Sequence, residues 1–348
     1  MTRLLTFLLV FCVAACTRPQ TTGFSAPHPE AKTETVFVAT MRNPGQHGQM
    51  FGQTRATEMS FAKTRISVPP THKIGHIERT TGPADAKRHF APLSADILPS
   101  VQTLSRNITS AQTNAQEPLL LFVHGYNNTL EDAVFRLAQI QHDFELTNPS
   151  LLFSWPSAGD PRGYIYDRDS VLFARSDFAH LISDLEHSGQ RRIMILAHSM
   201  GGNLVMEALR QLAIEGNSKA MSAIESVVLM APDIDTGLFQ RQAQEIGKLP
   251  EPFVIMTTQK DQVLNISGLL SGRKARLGRI ENADIIGDLG VFVLDFSLFD
   301  TDDNFGHMVP VSTPEAITFL RRLSLGLTNA PNAFSRYVLL GDDRRKPN

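Results

Sequence analysis

From Glu117 onward the chain alternates short apolar runs with helical patterns, and this alternation restricts its fold more than any other feature. "PLLLFVHG" (Pro118 to Gly125) is apolar without period-two alternation, as expected of a strand buried on both faces. "TLEDAVFRLAQIQHDFEL" then spaces apolar residues for a helix, with Thr129 as its N-cap. "SLLFSWP" reads as the next strand and "DSVLFARSDFAHLISDLEHS" as the next helix, ended by Gly189. The pairs continue with "RRIMILAHS" and "MGGNLVMEALRQLAIEG", then "IESVVLMAP" and "GLFQRQAQEIG". "PFVIMTT" and "VFVLDFS" are the last strands. "STPEAITFLRRLSLG" is the last helix, capped by Ser312 or Thr313 with Pro314 in its first turn. Such a series specifies an α/β fold, a mostly parallel sheet with helices on both faces. Upstream, "TVFVAT" and "TRISVP" read as strands inside a segment of strands and loops, Thr33 to Ala115, that packs onto the main domain or forms a small one of its own. Gly268 to Gly290 breaks the rhythm, is locally basic, and reads as a lid, an irregular excursion or a solvated loop.

Within this pattern "LAHSMGGN" places Ser199 at the corner between an apolar strand and a helix. A serine on so tight a turn needs small neighbours, and Ala197 and Gly201 supply them in a variant of G-x-S-x-G. The helix start adds a positive dipole beneath any oxyanion formed there. A serine nucleophile needs a base, which in this arrangement follows it in the chain. His307, in "FDTDDNFGHMVP", is the only histidine after Ser199. The acid that orients it is Asp261, after the strand "PFVIMTT", with Asp233 and Asp235 of "APDIDTGLF" as alternatives. Asp302 and Asp303 are close to His307 in sequence, which is not the same as nearness in space. Two amides would bind the oxyanion: that of Met200, and that of Tyr126 in the loop after "LFV", where Gly125 permits close backbone approach. His124 reads as a residue that fixes this loop.

Together "LFVHGYNN", "LFSWPSAG", "LAHSMGG", "APDID" and "FGHMVP" resemble the α/β-hydrolase fold, and within it a bacterial branch of undefined function, over roughly Thr33 to Leu325. The resemblance implies Ser199, Asp261 and His307 as triad positions and the amides of Tyr126 and Met200 as donors. "APDID", "WPSAG" and "YDRDS" (Tyr166 to Ser170) recur in that branch, which keeps Asp233 and Asp235 open as the acid. Trp155 lines the acyl pocket or supports the site from below. The reading is a serine hydrolase, a carboxylesterase first, that needs no cofactor or metal and takes a small-molecule or lipid ester. Acyl transfer or amide cleavage on the same triad, or a catalytically idle lipoprotein that binds the envelope, are the alternatives.

The first residues belong to targeting. "MTRLLTFLLVFCVAAC" has Arg3, an apolar run too short to span a bilayer, and small residues before Cys16. "VAAC" resembles a lipoprotein signal, cut before Cys16, which would carry the lipid. Thr17 at the next position favours the outer membrane, its periplasmic face. Both cysteines, Cys12 and Cys16, fall here, so the mature domain holds no thiolate for catalysis or metal binding. The chain divides into a signal (1–15), a flexible lipid tether (16–32), the N-terminal strand and loop extension (33–115), the α/β core (116–326) and a tail (327–348). With 42% hydrophobic and 20% charged residues it has an ordinary globular balance, and a net charge of −2 without a basic stripe argues against nucleic acid.

Overall fold

The computed structural model describes residues 18–46, 49–114, 116–272, 274–281, 283–286, 289–299, 305–327 and 337–339. The signal and Cys16 therefore lie outside the described residues, as do Asp302 and Asp303.

The N-terminal strands are β1 (Thr21–Thr22), β2 (Lys32–Pro44), β3 (Phe51–Val68), β4 (Gly82–Pro83) and β5 (Ala91–Leu98). Helix α1 (Val101–Ala111) follows, capped by Ser100, whose hydroxyl accepts from the Thr103 amide. The alternating series then runs β6 (Leu119–Val123), α2 (Leu130–Asp143), β7 (Ser150–Ser154), α3 (Tyr164–His187), β8 (Ile193–His198), α4 (Met200–Ile214) and α5 (Ser218–Ala223). It continues with β9 (Ile224–Met230), α6 (Thr236–Ile246), β10 (Phe253–Thr257), α7 (Gln262–Leu270), β11 (Phe292–Asp295), α8 (Val309–Ser312), α9 (Pro314–Leu327) and β12 (Tyr337–Leu339). Among the described residues no helix is long and apolar enough to cross a membrane.

Ten strands form one sheet in the order β12-β11-β10-β9-β8-β6-β7-β2-β3-β5. From β12 to β2 every neighbouring pair is parallel, and β3 and β5 complete an antiparallel edge. The predicted mostly parallel sheet is the one observed. Successive side chains of β6 divide between two cores: Leu119, Leu121 and Val123 pack with α1, α3 and α4, whereas Leu120 and Phe122 pack with α2 and α9. Burial on both faces is why the run is uninterrupted.

The extension joins the main sheet through β2, which lies parallel to β7. Helix α1 within it was not expected. Two expectations at the chain's ends are corrected. Arg18 to Lys32 is not a free tether: β1 pairs with β4, Ser25 bonds Pro92 and Ala84 carbonyls, and Arg18 reaches across to Asp132. The tail contributes β12 to the sheet edge. The last helix begins as expected at Pro314, but neither hydroxyl caps it. Ser312 donates back to Met308, and the Thr313 hydroxyl is buried without a partner.

Because β6 is flanked by both β7 and β8, the chain reverses its winding direction there. The crevice at the carboxyl ends of the strands beside such a point is where ligands bind in open α/β sheets.

Candidate active site

Ser199 follows β8 with φ 53° and ψ −123°, a conformation L-residues rarely adopt. Its amide bonds the Met230 carbonyl at 2.9 Å, and its own carbonyl accepts from Gly202 and Asp233. A Cβ added at Gly201 would lie 2.4 Å from the His124 carbonyl oxygen, so only glycine lets α4 start this close to the end of β6. Ala197, two residues before Ser199, is fully buried. Ser199 itself is 1% exposed and lies at the wall of a cavity.

Asp261 and His307 come together from the ends of β10 and β11. His307 Nδ1 lies 2.6 Å from Asp261 Oδ2. The other carboxylate oxygen accepts from the Leu264 amide at 2.9 Å, so Asp261 also caps α7. Both residues are buried. The two alternative acids are committed elsewhere. Asp233 accepts from Ser267 Oγ (2.5 Å) and the Tyr164 hydroxyl (3.0 Å) and pairs with Arg276 at 3.3 Å. Asp235 caps α6 through the Leu238 amide.

The loop after β6 runs against the Ser199 turn. A Cβ on Gly125 would lie 2.7 Å from His198 Nδ1 and 2.8 Å from Ser199 Cβ, so the backbone here needs glycine. Tyr126, next in the chain, lines the cavity with Ser199, whereas Met200 is buried at the first position of α4. His124 sits between the Gly125 and Trp155 carbonyls, at 2.9 Å from Nδ1 and 3.1 Å from Nε2. Burial first, and then the charge of Arg42, hold its pKa down to about 3, so it is neutral. Trp155 stacks on it at 4.8 Å and donates to its carbonyl at 2.7 Å. Of the two roles read for Trp155, support from below is the observed one: it is fully buried and does not line the cavity.

Three residues act here that the sequence reading passed over or left without a role. Arg42 is fully buried and bonds Ser154 Oγ and the carbonyls of Gly52, Ser157 and Asn128. Its guanidinium thereby joins the loop after β6 to the loop after β7. Asp167, of "YDRDS", accepts from the Asn127 amide (3.0 Å), the Ala158 amide (2.7 Å) and Ser157 Oγ (2.6 Å), tying the same loops from α3. His198 packs its ring at 4.5 Å from that of His307, with Nε2 3.4 Å from the His307 carbonyl oxygen. Burial and the neighbouring His307 push its pKa well below the ordinary value, so a neutral ring lies beside His307. Its place inside "AHSMG" was the only available signal for it. Arg42, in contrast, lies in a β2 strand far from any motif.

Ser199, His307, Gly125 and Tyr126 share a cavity of about 830 Å³ whose wall also includes Arg18 and Ile266. Among its described residues Gly268 to Gly290 follows an irregular course rather than a loop in solvent throughout: Arg276, Leu277, Ile280 and Ile286 are buried. The one cluster of metal-ligating type among the described residues lies outside the cavity lining, although its Asp143 accepts from the amide of Gly75, which lines the cavity. His72, His142 and Asp143 bring ligand atoms within 4.8 Å, but both nitrogens of His72 are engaged by carboxylates of Glu78 and Asp143.

A mostly parallel sheet bearing a strained serine turn at its switch point, with a histidine and an aspartate from the following strand ends, is the arrangement of an α/β hydrolase. Over residues 101–323 the chain matches the family described as alpha/beta hydrolase of unknown function (DUF900), and it belongs to that family. No curated protein matches it. Among solved structures it is similar to a predicted CIB-like hydrolase from Thermoplasma acidophilum, at 16% identity over 76% of this chain and 93% of that one, TM-score 0.36. It is also similar to the carboxylesterase CesB of Bacillus subtilis (14% identity, 62% and 85% of the two chains, TM-score 0.35). A third is esterase B of Lactobacillus rhamnosis (11% identity, 88% and 90%, TM-score 0.41).

Proposed function

We propose that the protein is a serine hydrolase acting on carboxylic esters through an acyl-enzyme. The observation that carries this reading is the 2.6 Å contact between His307 Nδ1 and Asp261, in a wall shared with the strained Ser199. Asp261 holds the Nδ1 proton, which leaves Nε2 to take the proton of Ser199 as its Oγ attacks the acyl carbonyl. The amides of Tyr126 and Met200 receive the developing oxyanion, aided by the N-terminus of α4. His307 then protonates the departing alkoxide, and the same steps with water free the acid. No metal or organic cofactor enters these steps. A cavity of about 830 Å³ is in the range that encloses a small organic ligand.

An active-site-directed fluorophosphonate tests this directly. The expected result is one adduct, on the peptide carrying Ser199, together with hydrolysis of p-nitrophenyl esters of graded chain length. Absence of any adduct, or an adduct on another serine, overturns it.

We also propose that the chain is cut before Cys16, that Cys16 carries lipid, and that the domain stands at the periplasmic face of the outer membrane. "VAAC" after the apolar run supports this. The mass of the mature N-terminal peptide decides it.

A further inference from the structure

Helix α7 has an unusual composition for its position. Its sequence, "QVLNISGLL", carries no charge, yet only Leu264, Ser267 and Gly268 turn inward. Ile266 is 54% exposed, Leu269 55% and Leu270 68%, and nearby Phe305 is 53% exposed. Ile266, Leu270 and Phe305 also line the cavity that holds Ser199, so they form its apolar mouth. A contiguous exposed apolar patch around a binding site marks a surface made for another apolar phase. α7 is fixed in this pose from below: Asp261 caps it, and Ser267 is bonded to Asp233 and Tyr164.

The start of the described chain reaches the same cavity. Arg18 lines it, paired with Asp132 at 2.7 Å and bonded to the carbonyl and side-chain oxygens of Asn127. Cys16 is two residues earlier, and with about 3.8 Å between successive Cα atoms it is within about 8 Å of Arg18. A lipid on Cys16 would therefore be joined by a two-residue link to a side chain that lines the cavity. Lys274, exposed next to α7, adds a positive charge suited to anionic headgroups.

We infer that the mouth of this cavity is a membrane-docking surface. The Val263, Ile266, Leu269, Leu270 and Phe305 rim enters the bilayer that holds the Cys16 lipid, and the substrate is an acyl ester of a membrane lipid drawn from that leaflet. The inference rests on the proposed lipidation and esterase activity. The reaction breaks the acyl C–O bond of the lipid ester. Water supplies a hydroxyl to the acyl carbon and a proton to the alcohol, giving a free fatty acid and a deacylated lipid.

The test uses the mature lipidated chain in vesicles of phosphatidylcholine and phosphatidylglycerol with brominated acyl chains, which quench indole fluorescence on contact. Leu269→Trp places a reporter on the rim, outside the cavity lining. Ile214→Trp places one at the far end of α4, a 15-residue helix that leads about 22 Å away from Ser199. The buried Trp155 gives the background in the parent protein. The Leu269→Trp emission is expected to fall about twofold or more on bromination, as for a side chain lying in the headgroup and acyl boundary. The Ile214→Trp emission should match that of dark vesicles. In parallel, Leu269→Glu should lower turnover of a long-chain ester embedded in vesicles several-fold relative to turnover of a water-soluble short-chain ester. Equal quenching at both positions, quenching at neither, or an equal effect of Leu269→Glu on both esters overturns the inference. If the parent hydrolyses neither ester, the esterase reading falls by itself, and the quenching pair still decides the docking.

Discussion

Ser199 holds a positive φ that costs a non-glycine residue about 1–3 kcal/mol, and its neighbours enforce it. The amide and carbonyl of Ser199 are bonded to Met230, Gly202 and Asp233, so the turn is held both by its own helix and by the end of β9 and does not relax when the side chain changes. Ser199→Ala should therefore unfold at the parent's temperature and hydrolyse p-nitrophenyl esters about 10⁶-fold more slowly. Ser199→Gly should be as inactive but more stable, by about 1 kcal/mol, since only the glycine adopts this φ freely; urea titration measures the gain. The acid is tested in the same way. Asp261→Asn should lower kcat by about 10⁴, because an amide facing His307 Nδ1 favours the wrong tautomer. Asp233→Asn should leave kcat within an order of magnitude, since its partners are Tyr164, Ser267 and Arg276; steady-state kinetics of the two variants reverse this ranking if it is wrong. Ser199 and His307 were legible in the sequence because their signals are local: small flanking residues for one, the only histidine downstream for the other. Asp261 stood out less from Asp233 and Asp235, because each follows a strand at the same sheet edge. What separates them is which carboxylate faces His307, a matter of side-chain direction in three dimensions.

Elements were legible where one face or both faces are apolar and were hidden where buried polar groups are paired across the fold. α3 begins at Tyr164, five residues before the apolar pattern that signals it, because Asp167 in its first turns points inward to the loops after β6 and β7. β3 extends back to Phe51 through residues such as Gln53, Arg55 and Glu58, which no strand pattern would include. Arg55 is held there by Ser170, the Tyr166 carbonyl and the Tyr166 ring at 4.4 Å. Arg42 ties these elements together, and Arg42→Met would leave two loop carbonyls, the Gly52 carbonyl of β3 and Ser154 without it. The expected cost is about 3 kcal/mol in urea unfolding, and about 10² in kcat as the Tyr126 amide shifts. A second tie fixes the loop after β3 to α2. Burial disfavours the charged form of His72, but hydrogen bonds to Asp143 and Glu78 outweigh it and raise its pKa to about 9. Because this folded value exceeds the unfolded one of about 6.5, its contribution is complete below pH 6.5 and is lost as pH rises through 9. Melting temperatures should fall across that window in the parent. His72→Gln should start lower and show a flatter profile there, a difference on the order of 2 kcal/mol at pH 6.5.

At the scale of the whole molecule, the composition of Thr17 to Lys32 suggested a tether because Pro, Thr and Ala give it no local structure. Local propensity carries no information about Arg18, whose partners Asn127 and Asp132 lie 109 and 114 residues away. Arg79 reaches the same Asp132 and the Pro19 carbonyl, so the segment is clasped from two sides. On the proposed lipidation the anchor would lie two residues before this clasp, and its removal would have separable consequences. Each buried CH₂ of an acyl chain contributes about 0.8 kcal/mol, and stable attachment takes more than one chain, as a diacylglyceryl cysteine supplies. On the proposed lipidation, Cys16→Ser would remove every one of those chains while leaving Arg18 and Arg79 in place. The variant should leave the membrane pellet for the soluble fraction, keep its melting temperature, and hydrolyse a short water-soluble ester at the parent's rate. Fractionation with immunoblotting and a kinetic assay of the two fractions measure both halves. A Cys16→Ser chain that still sediments with the membrane would show that something other than a lipid on Cys16 holds the protein there.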